Sequence, residues 1–501
     1  MLFASMVFLW VFLPVVIIGN MLLSLVSDEK LCRTLKNIWL LIASFVFYAW
    51  GGIYYLLIML SSIAVNYTAG RLMEKRRRKG TLVCAIVLNL AILFFFKYFN
   101  MLVVVVENLF VWFTGKESAG ASLRAMLMMQ GTGQLGIKEI VLPIGISFFT
   151  FQAMSYVIDV YKGKARIQKN IAKFALYVAL FPQLIAGPIV KYSDVEGQIE
   201  NRKESIAMFA SGQRRFICGL AKKVLLANTF ALTADAVWKS EPEMMGSATA
   251  WLGALAYTMQ IYYDFSGYSD MAIGLGRMFG FRFKENFAYP YTSLSIQEFW
   301  RRWHISLSSW FKEYVYFTLG GSRCGNVKTY RNVFIVFLLT GIWHGANFTF
   351  LMWGIMYALL QVIERLFLGK VLEKNPVKPV NLIYTMLMVI LGWVLFRSDN
   401  IVYAIHYIGA MFGAYNHNVN AVLGGGGYQY LGFMSMELII AFVFGILGMG
   451  FMQRGLKRLY DGVRTKEWFM VLDMLVMAGL LMLCILRVVS GTYNPFIYFQ
   501  F

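Results

Sequence analysis

Apolar residues fall in long, nearly unbroken runs from residue 1 to residue 489, separated by short basic or polar stretches. A helix crossing the hydrocarbon core of a bilayer needs about 20 such residues, so the pattern predicts roughly ten to twelve crossings. The runs are too long for the alternating ten-residue segments of a barrel, and backbone groups in lipid must be satisfied internally. The expected fold is therefore all-α, a polytopic integral membrane protein. One membrane domain spans residues 1–501, with N-terminal helices in 1–114, a polar loop at 115–138, a core at 139–368 and further helices in 369–501.

Charge orients these runs. The densest basic cluster is Arg71, Lys75, Arg76, Arg77, Arg78 and Lys79, and a second one, Lys30, Arg33 and Lys36, precedes it by one apolar region. Both belong on the cytoplasmic side only if the run between them doubles back, and Gly51-Gly52 supplies the turn between two short helices. That places the N-terminus outside. The first run, residues 1–26, lacks a basic flank and a small-residue cleavage site, and is expected to stay as a membrane helix. Lys162, Lys164, Arg166 and Lys169 separate runs at 141–160 and 174–190, and the second holds Pro182 and Ala186-Gly187-Pro188, a kink or a cavity-lining break. Runs at 380–396, 438–452 and 469–486 read as crossings, residues 453–466 as a cytoplasmic loop and Gly424 to Gly427 as a flexible loop opposite. No internal repeat or soluble domain is visible.

Composition narrows the class. Hydrophobic residues make up 59% of the chain and charged ones 14%, with a mean hydropathy of +0.61, which excludes a soluble fold. The net charge of +20 would suggest nucleic acid in a soluble protein, but here it follows the loops and implies a bilayer as partner and no nucleic acid. Five cysteines without paired spacing signal neither a zinc site nor a disulfide framework.

Four histidines, His304, His344, His406 and His417, are the candidates for chemistry. On a helical wheel of residues 298–314, Trp300, Trp303, His304, Leu307, Trp310, Phe311 and Tyr314 share one face of an amphipathic helix. His344 lies in an uncharged run, residues 332–363, that is too long for one crossing, within Gly341-Ile342-Trp343-His344-Gly345-Ala346-Asn347. Twelve residues of helix from Asn332 would put His344 about 18 Å deep, and an ionisable residue at that depth is a functional candidate, flanked by a bulky Trp343 and an amide at Asn347. A neutral imidazole takes a proton from an attacking hydroxyl, which suits acyl transfer without metal. The residues alone leave helix packing and proton or ligand conduction open beside catalysis. Asp159, Asp264, Asp270 and Glu298 are acids in apolar context; Asp264 and Asp270 flank an expected turn or helix start, with capping or pairing to Arg301 or Arg302 as their simplest roles.

Six blocks occur in order: residues 142–152 (LPIGISFFTFQ), 181–188 (FPQLIAGP), 263–274 (YDFSGYSDMAIG), 286–307 (NFAYPYTSLSIQEFWRRWHISL), 341–347 (GIWHGAN) and 496–501 (FIYFQF). In these the chain resembles the membrane-bound O-acyltransferase family, most closely its bacterial alginate O-acetylation branch, and more distantly the D-alanyl transfer proteins of teichoic acid systems. The resemblance implies a helical funnel with short re-entrant helices. It implies His344 as the embedded catalytic histidine and His304 as the second, Trp-flanked one. Trp300, Trp303, Trp343, Asn347, Asp264, Gln297 and Glu298 are the expected lining.

By the same resemblance an acyl group, acetyl before others, passes from a cytoplasmic thioester across a bacterial inner membrane to an extracellular or cell-wall polysaccharide. The donor is acetyl-CoA or an acyl carrier protein, no cofactor is tightly bound, and an exported acetyltransferase is the expected partner. D-alanyl transfer to teichoic acid, a polysaccharide or lipid transporter, and a non-catalytic scaffold are the alternatives.

Overall fold

In the computed structural model, residues 1–114, 142–185, 187–415, 426–452, 462–463, 466–491 and 497 are described. The polar loop expected at 115–138, most of the basic loop at 453–466, Gly424, His417 and most of the closing block lie outside them.

A π-helical turn, Phe8–Phe12, leads into α1 (Leu13–Leu23). Next come α2 (Glu29–Ala49) and α3 (Ile53–Leu72), joined at Gly51-Gly52, where Gly52 takes φ 137°. The expected reversal is there, but its helices are 21 and 20 residues long rather than short. Lys30, Arg33 and Lys36 belong to α2 itself, which Asp28 caps, and not to a loop. The 36-residue α4 (Lys79–Thr114) follows.

Beyond the undescribed stretch come α5 (Ile146–Lys162), α6 (Ile171–Ala179) and the single turn α7 (Phe181–Leu184). The chain is then non-helical at 188–191, a break rather than a kink, and it is buried throughout. Its backbone groups find protein partners, as membrane depth demands: Ser306 Oγ accepts from Ile189 N at 3.0 Å and Tyr177 Oη donates to Val190 O at 3.0 Å.

Helices α8 (Tyr192–Asn201), α9 (Ile206–Ala221), α10 (Asn228–Trp238) and the 32-residue α11 (Ser247–Met278) come next. The 265–269 step lies mid-helix in α11, so it is neither a turn nor a helix start. Backbones of α9 and α11 touch at paired glycines: a Cβ on Gly219 would meet Gly267 O at 2.6 Å, and one on Gly274 would meet Gly212 O at 2.6 Å. Asp270 of α11 binds Arg215 at 2.8 Å and Lys222 at 2.6 Å, and Asp264 binds Lys223 at 2.8 Å. Neither acid pairs with Arg301 or Arg302 as expected, because both point toward α9 and the π-turn after it.

The expected amphipathic helix over 298–314 is broken in two, α12 (Ile296–Arg302) and α13 (Ile305–Phe311). His304 forms the joint in a left-handed conformation, φ 44° and ψ 53°. After α14 (Asn326–His344) and α15 (Phe348–Ile363) come α16 (Gly369–Lys374), α17 (Lys378–Arg397), α18 (Ile401–Met411), α19 (Met436–Gly448) and α20 (Glu467–Val489).

Among the described residues seven helices are long and apolar enough to cross a membrane, and three shorter apolar ones, Phe8–Leu23 included, accompany them. The number is lower than the hydropathy count because α11 is buried in protein along most of its length and carries polar residues, and α14 opens on polar and charged residues before its apolar stretch. The protein is a multi-pass membrane protein.

Two aromatic cores meet inside it. Phe148, Phe151, Trp310, Phe311 and Trp343 belong to one, and Phe299, Trp300, Trp303, Trp353 and Phe396 to the other. The wheel face read as one stripe is thus shared between both cores, with the His304 joint on their seam.

Candidate active site

His304 is held by its neighbours before any ligand is considered. The backbone around 286–288 runs beside the joint, with Ile305 N donating to Asn286 O at 2.9 Å and Ala288 N donating to Arg302 O at 3.0 Å. Asn286 Oδ1 accepts from Ser306 N at 3.1 Å and from Ser306 Oγ at 2.8 Å, and lies 3.2 Å from His304 Nδ1. A backbone N–H can only donate, so the Asn286 atom facing it is the oxygen, and Nδ1 facing that oxygen carries the proton. His304 Nε2 is left with its lone pair, buried and without a protein partner among the described residues. A left-handed non-glycine residue costs on the order of 1–3 kcal/mol, and such strain gathers at functional sites.

His344 is the last residue of α14, where Gly345-Ala346-Asn347 turns the chain into α15. The helices of this hairpin approach closely, since a Cβ on Gly341 would meet Phe350 O at 2.5 Å and one on Gly354 would meet Phe337 O at 2.6 Å. Aromatic rings enclose the imidazole: Trp343 and Phe396 at 4.9 Å between centroids, Trp353 at 5.1 Å and Phe350 at 6.3 Å. The residue is 7% exposed, and its ring nitrogens have no hydrogen-bonding partner among the described residues. Trp343 faces both histidines, with the His304 ring 6.2 Å from it. The indole N–H groups of Trp300, Trp343 and Trp353 also lack acceptors among the described residues, and such donors suit a carbonyl oxygen.

Two cavities lead along α14 toward this centre. One of about 740 Å³ is walled by Asn326, Thr329, Gln297, Arg301, Arg365 and Lys370. The next, of about 400 Å³, shares Gln297, Arg301 and Arg365 and reaches Trp300 and Thr340, one helical turn before His344.

Of the other expected residues, Gln297 and Glu298 line the larger cavity, Gln297 and Trp300 the smaller. Glu298 is also a capping residue: its backbone N donates to Ser295 Oγ at 3.1 Å, and its carboxylate takes Leu294 N at 2.7 Å. Asn347 caps α15 through Thr349 N at 3.0 Å and donates to Asp399 O at 2.7 Å, so its amide is committed to backbone. Trp303 packs in the second core, its ring 4.8 Å from that of Trp393, and Asp264 is bound to Lys223. Trp303, Asn347 and Asp264 line neither cavity. His406 pairs with Glu243 on another part of the fold. Sequence reading missed Asn286, which opens the block containing His304, and Lys97, the one charge between residues 80 and 106.

The family model for the membrane-bound O-acyltransferase family matches residues 165–397, which include both histidines. The probable alginate O-acetylase AlgI of Pseudomonas putida is 39% identical, over 100% of each chain. The chain belongs to the membrane-bound O-acyltransferase family. Among other members, the peptidoglycan O-acetyltransferase of Helicobacter pylori is 32% identical over 82% of this chain and 80% of its own. The teichoic acid D-alanyltransferase of Bacillus subtilis is 27% identical over 45% of this chain and 59% of its own. An O-acyltransferase must bring a hydroxyl and an activated acyl group to one base, and the seam holds two imidazoles around a shared indole, with the smaller cavity coming as near as Thr340.

Proposed function

We propose that this O-acyltransferase passes an acetyl group from a cytoplasmic thioester, acetyl-CoA or a carrier-bound acetyl, to a hydroxyl acceptor for O-acetylation of an extracellular or cell-wall polysaccharide. The observation that carries the reading is the meeting of His304 and His344 at Trp343, one helical turn beyond the cavity that ends at Thr340. The greater identity and coverage of the two O-acetylating relatives favours acetyl over D-alanyl cargo.

The entry end is rich in lysine and arginine, with Glu298, Glu364 and Glu373 among them. Lys312, Arg323, Lys328 and Arg331 precede or begin α14, and Arg365, Lys370 and Lys378 lie near the same cavity. Positive charge faces the cytoplasm, so the thioester enters there and the 344–347 turn, about 27 Å up the helix from Asn326, lies toward the outside. This orientation goes with an inner-membrane protein whose N-terminus is outside.

In the step itself His344 accepts the hydroxyl proton while the hydroxyl oxygen bonds to the thioester carbonyl carbon. The indole N–H donors support the oxygen on which negative charge gathers. The carbon–sulfur bond then breaks, and His344 gives its proton to the departing sulfur, which leaves as the thiol. His304, its Nε2 unprotonated, orients the acceptor or relays the proton. The dry aromatic walls keep water from the thioester. An exported acetyltransferase partner then carries the group to the polymer.

The test compares polymer-bound acetyl and D-alanyl ester in cells carrying the intact protein, His344→Ala or His304→Ala at matched membrane levels. Loss of acetyl ester in the His344 variant is expected. Loss of D-alanyl ester instead would change the cargo, and unchanged esters of both kinds would remove the catalytic reading in favour of transport or scaffolding.

A further inference from the structure

The middle of α4 carries Lys97, the only charged residue between positions 80 and 106. Its ammonium donates to the backbone carbonyl of Trp343, and the hydroxyl of Tyr98 donates to the carbonyl of Ile342. Lys97 Nζ also stands 5.6 Å from the centre of the Trp343 ring. Among the described residues it enters no ion pair.

A helix leaves its last four carbonyls without intrahelical partners, and α14 ends at His344, so Ile342 and Trp343 own two of them. Away from water such groups must find protein donors. The negative end of a helix favours a cation, yet a neutral donor would satisfy a carbonyl, and a lysine inside an apolar helix is costly. What distinguishes this carbonyl is its place: it belongs to the peptide group that joins Trp343 to His344. Holding it fixes the final peptide plane of α14 and hence the direction from which the imidazole leaves the backbone.

We propose that Lys97 is a positioning residue for acyl transfer, its ammonium gripping the Trp343 carbonyl and so setting the last turn of α14 that presents His344. The inference rests on the reading of His344 as the general base. A role in packing alone would depend on the bulk of the side chain, which methionine largely reproduces, whereas a grip on the carbonyl needs a donor.

The experiment measures polymer-bound acetyl ester in cells carrying the full chain, Lys97→Met, Lys97→Gln, Lys97→Arg or His344→Ala at matched membrane levels. Lys97→Met is expected to lower the ester at least tenfold, and Lys97→Arg and Lys97→Gln to restore part of it through their N–H donors. Ester within twofold of the intact protein in Lys97→Met would overturn the proposal, as would equal loss in all three Lys97 variants. His344→Ala separates the failures. Ester kept there removes the base assignment and this inference with it; ester lost there but kept in Lys97→Met removes this inference alone.

Discussion

Asn286 Oδ1 lies 3.2 Å from His304 Nδ1 while accepting from the Ser306 backbone 3.1 Å away. The second contact decides the first, because it fixes which Asn286 atom is oxygen and so which imidazole nitrogen holds the proton. The free Nε2 exists only in that tautomer.

Replacing Asn286 should therefore act through His304. Asn286→Leu removes the acceptor and is expected to lower polymer esterification roughly tenfold or more, within the range of proton-transfer catalysis. Asn286→Asp keeps an acceptor at Nδ1 and should retain more. Ester assays at matched membrane levels check this; a leucine variant as active as the intact protein would leave His304 without a tautomer-dependent role.

The hairpin that ends in His344 depends on the absence of side chains at Gly341 and Gly354. A Cβ at Gly341 would meet Phe350 O at 2.5 Å, a backbone atom that cannot swing aside. Gly341→Ala should push α14 from α15 at a cost of about 1–3 kcal/mol, seen as a lower melting temperature in detergent. Unchanged melting would mean that the two helices part at no cost.

Much of this fold was legible because its signals are local. Gly51-Gly52 between two apolar runs required a reversal, and the uncharged 332–363 run was too long for one crossing, although the place of its turn at Gly345 to Asn347 was not read. The break at His304 was not legible: the 298–314 segment has helical periodicity throughout, and the contacts that hold the joint come from Asn286 and Ala288, distant in sequence. Asp264 and Asp270 misled for a related reason, since Gly267 between them reads as a turn but serves close packing against Gly219. Lys97 was missed although it stands as a lone charge in an apolar run. Its meaning came only from the fold that brings α4 to the end of α14.

Glu313 ties three segments together at the basic end, with Lys164 at 2.6 Å and Lys191 at 2.5 Å. Burial pushes its carboxyl up, but hydrogen bonds and charge from these lysines outweigh that and hold it at about 2, below the ordinary 4.5. A depressed folded value gives stability that is full above the ordinary range and lost as pH falls through about 2. With the site partly solvated, its contribution is about 1 kcal/mol. Glu313→Gln should melt lower than the intact protein at neutral pH, and the gap should close on acidification. A gap that persists in acid would trace to packing rather than charge.

Asp264 and Lys223 form the most deeply buried ion pair described, 2.8 Å apart with side chains 2% and 4% exposed, and Asp264 Oδ2 also accepts from Ile497 N at 2.9 Å. Phe265, one position on and about a third of a turn round α11, packs 4.6 Å from His304 instead. That geometry makes Asp264 a support behind the site rather than a wall of it. Removing one partner leaves the other charge buried, at a cost of about 3–5 kcal/mol, whereas removing both is often tolerated. Asp264→Leu should therefore fall sharply in membrane level, and Asp264→Leu with Lys223→Met should recover both level and polymer ester. A double variant that accumulates normally yet makes no ester would instead put Asp264 in contact with substrate, because restored folding would no longer account for the loss.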